Sequence, residues 1–222
     1  MDPQNNEHLP LELSSQLVSI MTTEHYNLQS GRSMTISESN GRSSLFVGAV
    51  SSGLIALTFV GQIAHLGTAF FVFSLIVIPT LFFMGLITFE RVLQAGKADA
   101  VYARGINRIR HLYLEYAPQM QPYFILSTHD DAEETLRQEA LHPGGVQSFL
   151  TMAGMVGMIN SVLSGSFAGL LLVVFAFPLW LCTSAGGIVF LASVALHQLY
   201  QQGQWRRLER NLPVHFPSQS RA

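Results

Sequence analysis

The densest group of residues able to do chemistry is His129, Asp130, Asp131, Glu133 and Glu134. Carboxylates with an imidazole beside them are suitable ligands for a divalent cation. Their spacing fixes no coordination geometry, and a metal site usually draws further ligands from elsewhere. The commoner reading of the stretch is a helix start, with Ser127, Thr128 or Asp130 as the cap and the acids interacting favourably with the helix dipole. No metal site is therefore assigned.

A second group is basic. Arg91, Lys97, Arg104, Arg108 and Arg110 follow a long apolar run and outnumber the acids Glu90, Asp99 and Glu115. Such a series can meet anionic lipid headgroups or a phosphorylated ligand, and it equally describes the solvated face of a helix next to a membrane. Gly-Arg-Ser occurs twice, at residues 31–33 and 41–43, in a run rich in Ser, Thr and Asn. Backbone amides and the two arginines there can bind an anion; a polar segment anchoring the entry to an apolar helix is the plainer account.

Catalytic signatures are missing. The chain has no GxSxG, GxxxxGK, HExxH or CxxC motif, so the expectation is a protein that is not an enzyme and takes no cofactor. The lone Cys182 lies in an apolar run and reads as a small packing residue. A net charge of −2 favours no nucleic acid partner.

The elements that carry these residues are set by where charge is excluded. Neither Ser43 to Phe89 nor Ala140 to Trp205 contains a single Asp, Glu, Lys or Arg, although the chain is 12% charged and 49% hydrophobic. A membrane helix needs about 20 mostly apolar residues, so each tract has room for two crossings. No carboxylate, Lys or Arg lies among the membrane helices, where the candidate acid–base groups are His65 near an expected turn and His197 near a helix end. The lack of a buried carboxylate argues against ion-coupled transport. The predicted fold is all-α: a four-helix transmembrane protein of two helical hairpins with long cytoplasmic helical extensions. The predicted divisions are a polar, amphipathic arm at 1–43, hairpins at 44–89 and 146–200, a helical segment at 90–145 and a basic tail at 201–222. Leu13, Leu17, Ile20, Met21 and Leu28 mark a weak apolar stripe in the arm.

Within the hairpins, helices are expected at about 44–59, 69–89, 148–175 and 179–200, with turns near 62–67 and 176–180. The third can alternatively break at the polar cluster around Asn160. Pro79 should bend the second, with Ser74 and Thr80 near the freed carbonyl. All twelve Lys and Arg residues then share one side with both termini, the cytoplasmic side by the positive-inside rule. Tyr200, Trp205 and Trp180 fall where aromatic belts belong.

Small residues give the assembly signal. Ala153, Gly157, Ser161, Gly165 and Gly169 recur every four residues, and Gly48, Ser52 and Ala56 form a shorter stripe. Such stripes let helix backbones approach closely in lipid. They can pack within the chain or between copies, and two of them suit a homo-oligomer. Asn160, the most interior strongly polar residue, is expected to bond across helices.

Residues 23–54, followed by INRIRHLYLEYAP, PYFILSTHDD and the stretch from Asn160 to Gly165, resemble a set of uncharacterised bacterial integral membrane proteins. The resemblance implies four membrane helices and a bacterial inner-membrane location, and brings no activity with it. The layout is also similar to the two-crossing membrane effector modules of bacterial nucleotide-signalling defence systems, in architecture alone. The expected partners are the lipid bilayer, anionic headgroups and further copies of the chain. The expected role is a pore-forming or effector assembly controlled by its cytoplasmic helices; the alternative is a scaffold or accessory subunit of another membrane complex.

Overall fold

The computed structural model describes residues 15–138 and 147–218. Within them the chain is helical throughout its regular structure. Helix α1 spans Ser15–Ile63, α2 Thr68–Tyr116, α3 Ala132–Gln138, α4 Gln147–Leu150, α5 Met152–Val174 and α6 Leu179–Asn211, with a 3-10 turn at Pro118–Tyr123. Helices α1, α2, α5 and α6 are each long and apolar enough to cross a membrane. In their most apolar windows a third of the residues at most are buried. Leu54, Ile55, Phe59, Phe83, Ile87 and Leu191 point outward, a surface that water opposes and a bilayer accommodates. The chain is an all-α, multi-pass membrane protein.

Helices α1 and α2 each have 49 residues, about 73 Å at 1.5 Å per residue, more than twice the thickness of a hydrocarbon core of roughly 30 Å. Each therefore continues well beyond the bilayer. The continuation of α2 follows the expectation for a helix through Glu90 to Tyr116. That of α1 bears on the anion reading: residues 31–43 lie inside the helix, where their backbone amides bond along the helix and are not arranged to bind an anion. Arg32 instead pairs with Asp99 at 2.8 Å, and Arg42 with Glu38 at 2.8 Å.

The chain forms two compact units, and α1 and α2 contribute to both. Unit 1 comprises Met1–Ser33, Asp99–Leu141 and Pro213–Ala222. In it the first part of α1 runs antiparallel to the last part of α2: His25 stacks on Tyr113, Leu28 covers Gly105, and Gly31 lies under the Tyr102 ring. Leu28 of the expected apolar stripe is thus packed, while Ile20 is exposed and Leu13 lies outside the described residues. Unit 2 comprises Met34–Ala98 and His142–Leu212. Its core joins Phe46, Leu81, Phe89, Leu93, Val156 and Leu163.

Both hairpin turns fall where expected, by an unexpected device. Ala176, after α5, has φ 58°, and its N–H reaches Val173 O while that of Phe177 reaches Leu172 O, the paired bonds of a Schellman ending. His65 and Leu66, after α1, are also left-handed, at φ 46° and 57°. Residues with a Cβ pay about 1 kcal/mol for this conformation, which glycine adopts freely. Ala176→Gly is expected to raise the unfolding midpoint in detergent by a few degrees, and a lowered midpoint would contradict the left-handed turn.

Two boundaries and one role differ from expectation. Thr151 caps α5, its hydroxyl accepting from Gly154 N at 3.0 Å, so the long third element breaks at Thr151 and runs unbroken past Asn160. Helix α6 continues to Asn211, so residues 201–211 belong to the helix and not to a tail. The Ser74 and Thr80 hydroxyls bind Phe70 O and Ile76 O, their own fourth-preceding carbonyls, rather than the Leu75 carbonyl that Pro79 leaves free.

Candidate functional site

In unit 2 the long small-residue stripe is consumed within the chain. A Cβ on Gly165 would lie 2.7 Å from Gly186 O and 2.8 Å from Phe190 Cβ, and one on Gly169 would lie 3.1 Å from Cys182 O. Gly157 faces His197 and Phe89, while Ala153 and Ser161 are buried. Close backbone approach of α5 and α6 is what these residues provide. The stripe on α1 is different: nothing lies within 4 Å of a Cβ on Gly48, Ser52 is exposed and Ala56 half-buried. The Ser52 hydroxyl folds back on Gly48 O at 2.9 Å, which leaves a smooth, open face.

A polar cluster is built into the same unit. His197 Nδ1 donates to Ser193 O at 2.8 Å, leaving Nε2 to accept from Asn160 Nδ2 at 3.5 Å. Asn160 is fully buried, and its Oδ1 has no hydrogen-bond partner. That oxygen faces Gly85, where a Cβ would collide with it and with Phe46 Cζ. Asn160 does bond across helices, as its isolation in an apolar stretch led us to expect; Gly85, which admits it, carries no sign in its own neighbourhood of Phe, Met and Leu.

Unit 1 holds the acids. Asp130 is completely buried. It accepts from Arg108 Nε at 2.7 Å and from the backbone N–H of Phe216 at 2.8 Å and of His215 at 3.1 Å, while its own N–H donates to Phe216 O at 3.1 Å. Asp131 accepts from Ser218 N at 2.9 Å and Ser218 Oγ at 3.0 Å, and from Glu134 N at 3.2 Å. Asp131, not Ser127, Thr128 or Asp130, is thus the residue that caps α3. Arg108 also donates to Pro213 O, and Phe216 stacks on His111 with centroids 3.9 Å apart. The loop bearing Asp130 is fixed by Asn107, whose amide donates to His129 O at 2.9 Å. Among the described residues no group of His, Cys, Asp or Glu is arranged to hold a metal; the acids hold a stretch of chain.

The five expected anion contacts are divided between the two units, and each is paired or buried within its own. Arg91 binds Glu38 and Gln94, Lys97 binds Gln204 at 2.8 Å, Arg104 is 2% exposed, Arg108 is held by Asp130, and Arg110 donates to Asn107 at 2.9 Å. Burial, reinforced by the nearby charge of Arg32, pulls the Arg110 guanidinium below its usual value.

Burial pushes the Asp130 carboxyl up, but the amides of His215 and Phe216 together with Arg108 outweigh it and hold the group below the usual carboxylate range. A depressed value means the charged form favours the docked state. The contribution is complete above about pH 3.9, the ordinary aspartate value, and is lost only as pH falls through the lower docked one. Amide exchange of His215 and Phe216 is therefore expected to stay slow, after correction for intrinsic rates, from pH 7 to about 4.5. Loss of that protection near pH 6 would contradict Asp130 as the anchor.

Compared with protein-family models, curated proteins and solved structures, the chain matches none.

Proposed function

We propose that this chain is a non-enzymatic, homo-oligomeric protein of the bacterial inner membrane, with both termini and the segment between its hairpins in the cytoplasm, whose copies assemble through α1 into a pore or membrane-perturbing structure. The observation that carries the reading is the open face at Gly41, Gly48 and Ser52, beside a longer stripe already filled by the chain's own α6. Burying glycine and serine against a like face gains close van der Waals packing that lipid tails do not match. The exposed hydroxyls of Ser44 and Ser51 on the same helix are better served by a neighbouring helix or by water than by hydrocarbon, whereas those of Ser52 and Thr58 are already bonded to Gly48 O and Leu54 O. The placement in the membrane rests on the one-sided distribution of Lys and Arg.

Conductance across a planar bilayer tests the reading. Wild type is expected to conduct, and Gly48→Leu, whose Cβ has nothing within 4 Å in the folded chain, to reduce conductance at least tenfold while leaving helix content unchanged. Silence of the wild type, with a stoichiometric second protein co-purifying from the native host, would favour the accessory-subunit role instead.

A further inference from the structure

The segment Pro213–Ser218 is held in unit 1 by a set of polar contacts and one ring stack. Pro213, Val214, His215 and Pro217 are exposed, and Phe216 and Ser218 are half-buried. Little apolar area is therefore lost when the segment leaves. Its attachment is directional: paired amides on the Asp130 carboxylate, the reciprocal bond from Asp130 N–H to Phe216 O, an aromatic ring over His111, and a hydroxyl residue two positions later on Asp131. The chain bends at His215 and Phe216 so that both amides meet one carboxylate; main-chain bonds then supply affinity, and the aromatic ring and the hydroxyl supply specificity, as in other modes of peptide capture.

We propose that Arg108, His111, Asp130 and Asp131 form a peptide-recognition groove in which the chain's own Pro213–Ser218 is a resident, exchangeable ligand. The groove reads two successive free amides, an aromatic side chain and a hydroxyl two residues beyond it. Arg108 serves both parties, neutralising the buried Asp130 and donating to Pro213 O. Asn107 acts at one remove, positioning the Asp130 loop through His129 O. The resident segment is covalently part of the same chain, and intramolecular attachment of this kind gives an effective concentration on the order of millimolar. A free peptide must overcome that concentration, so the groove of the intact protein is closed to weak competitors and opens when the resident is weakened. The inference concerns unit 1 alone and holds whatever assembly the membrane helices form.

The test uses the full chain in mild detergent and a fluorescein-labelled peptide of residues 212–222, read by polarisation. Wild type is expected to bind it weakly. Phe216→Ala weakens the resident and leaves the groove intact, so its affinity for the wild-type peptide should rise at least tenfold. Adding Asp130→Asn to Phe216→Ala should abolish that binding, and adding His111→Ala, which spares the carboxylate network, should lower it several-fold. In wild type, excess unlabelled peptide should speed amide exchange across 213–218. Equal peptide affinity in wild type and Phe216→Ala overturns the proposal, as does affinity unchanged by His111→Ala or exchange unmoved by excess peptide. The His111 arm keeps the result decisive should Asp130→Asn unfold unit 1.

Discussion

Gly165→Leu is expected to break the α5–α6 hairpin. The added side chain would start 2.7 Å from a backbone oxygen, Gly186 O, and 2.8 Å from Phe190 Cβ, and a backbone atom cannot swing aside as the end of a flexible side chain can. The two helices must separate, which also opens the close backbone approach at Gly169 and Cys182. Overpacking in a well-packed core costs roughly 1 to 3 kcal/mol and occasionally more; a leucine against backbone belongs at the upper end. The expected reading is a thermal midpoint in detergent lowered by more than 10 degrees, or failure to accumulate in the membrane. A midpoint within a degree or two of wild type would mean that α6 does not occupy this face. The experiment does not probe contacts between copies, because the α5 stripe faces its own chain.

Gly85→Ala is the second large effect, and its signature is coupling. The new methyl group would collide with the Asn160 carboxamide and Phe46. The carboxamide cannot retreat without losing its bond to His197, and a buried polar group stripped of its partner costs about 1 to 3 kcal/mol. Asn160→Ala alone removes the unpartnered oxygen and the His197 contact together and leaves a cavity. In the double variant the Gly85→Ala methyl enters that cavity. We expect each single change to destabilise, and the pair to be less unstable than the sum by about 1 to 3 kcal/mol, the range for residues in direct contact. Strict additivity would contradict the packing of α2 against α5 at this level.

How much of this was legible in the chain depends on the range of the interaction. The four membrane helices follow from the two tracts without Asp, Glu, Lys or Arg, because the cost of charge in lipid acts on every residue locally. The turns around His65 and Ala176 follow from the lengths those tracts allow. The helical state of residues 31–43 did not, since Ser, Thr and Asn are weak helix formers and what holds them is tertiary: Gly31 under Tyr102, Arg32 on Asp99, Glu38 on Arg91. Gly85 looked like one small residue in an apolar run, because its partner Asn160 lies far along the sequence. His129 to Glu134 looked like metal ligands or a cap for the same reason. Nothing near Asp130 says that its charge is met by Arg108 and by backbone amides from residues 215 and 216. The stripe at Ala153 to Gly169 was legible as a close-packing face, but its partner could be named only once α6 was seen against it.

The open face of α1 is the point at which the functional account can be tested most directly. Native mass spectrometry of the detergent-extracted protein should give a single species at an integer multiple of 24.5 kDa, two or greater, and Gly48→Leu should shift it to 24.5 kDa with helix content preserved. A wild-type particle of 24.5 kDa under the mildest extraction, or a multimer indifferent to Gly48→Leu, would contradict assembly through this helix.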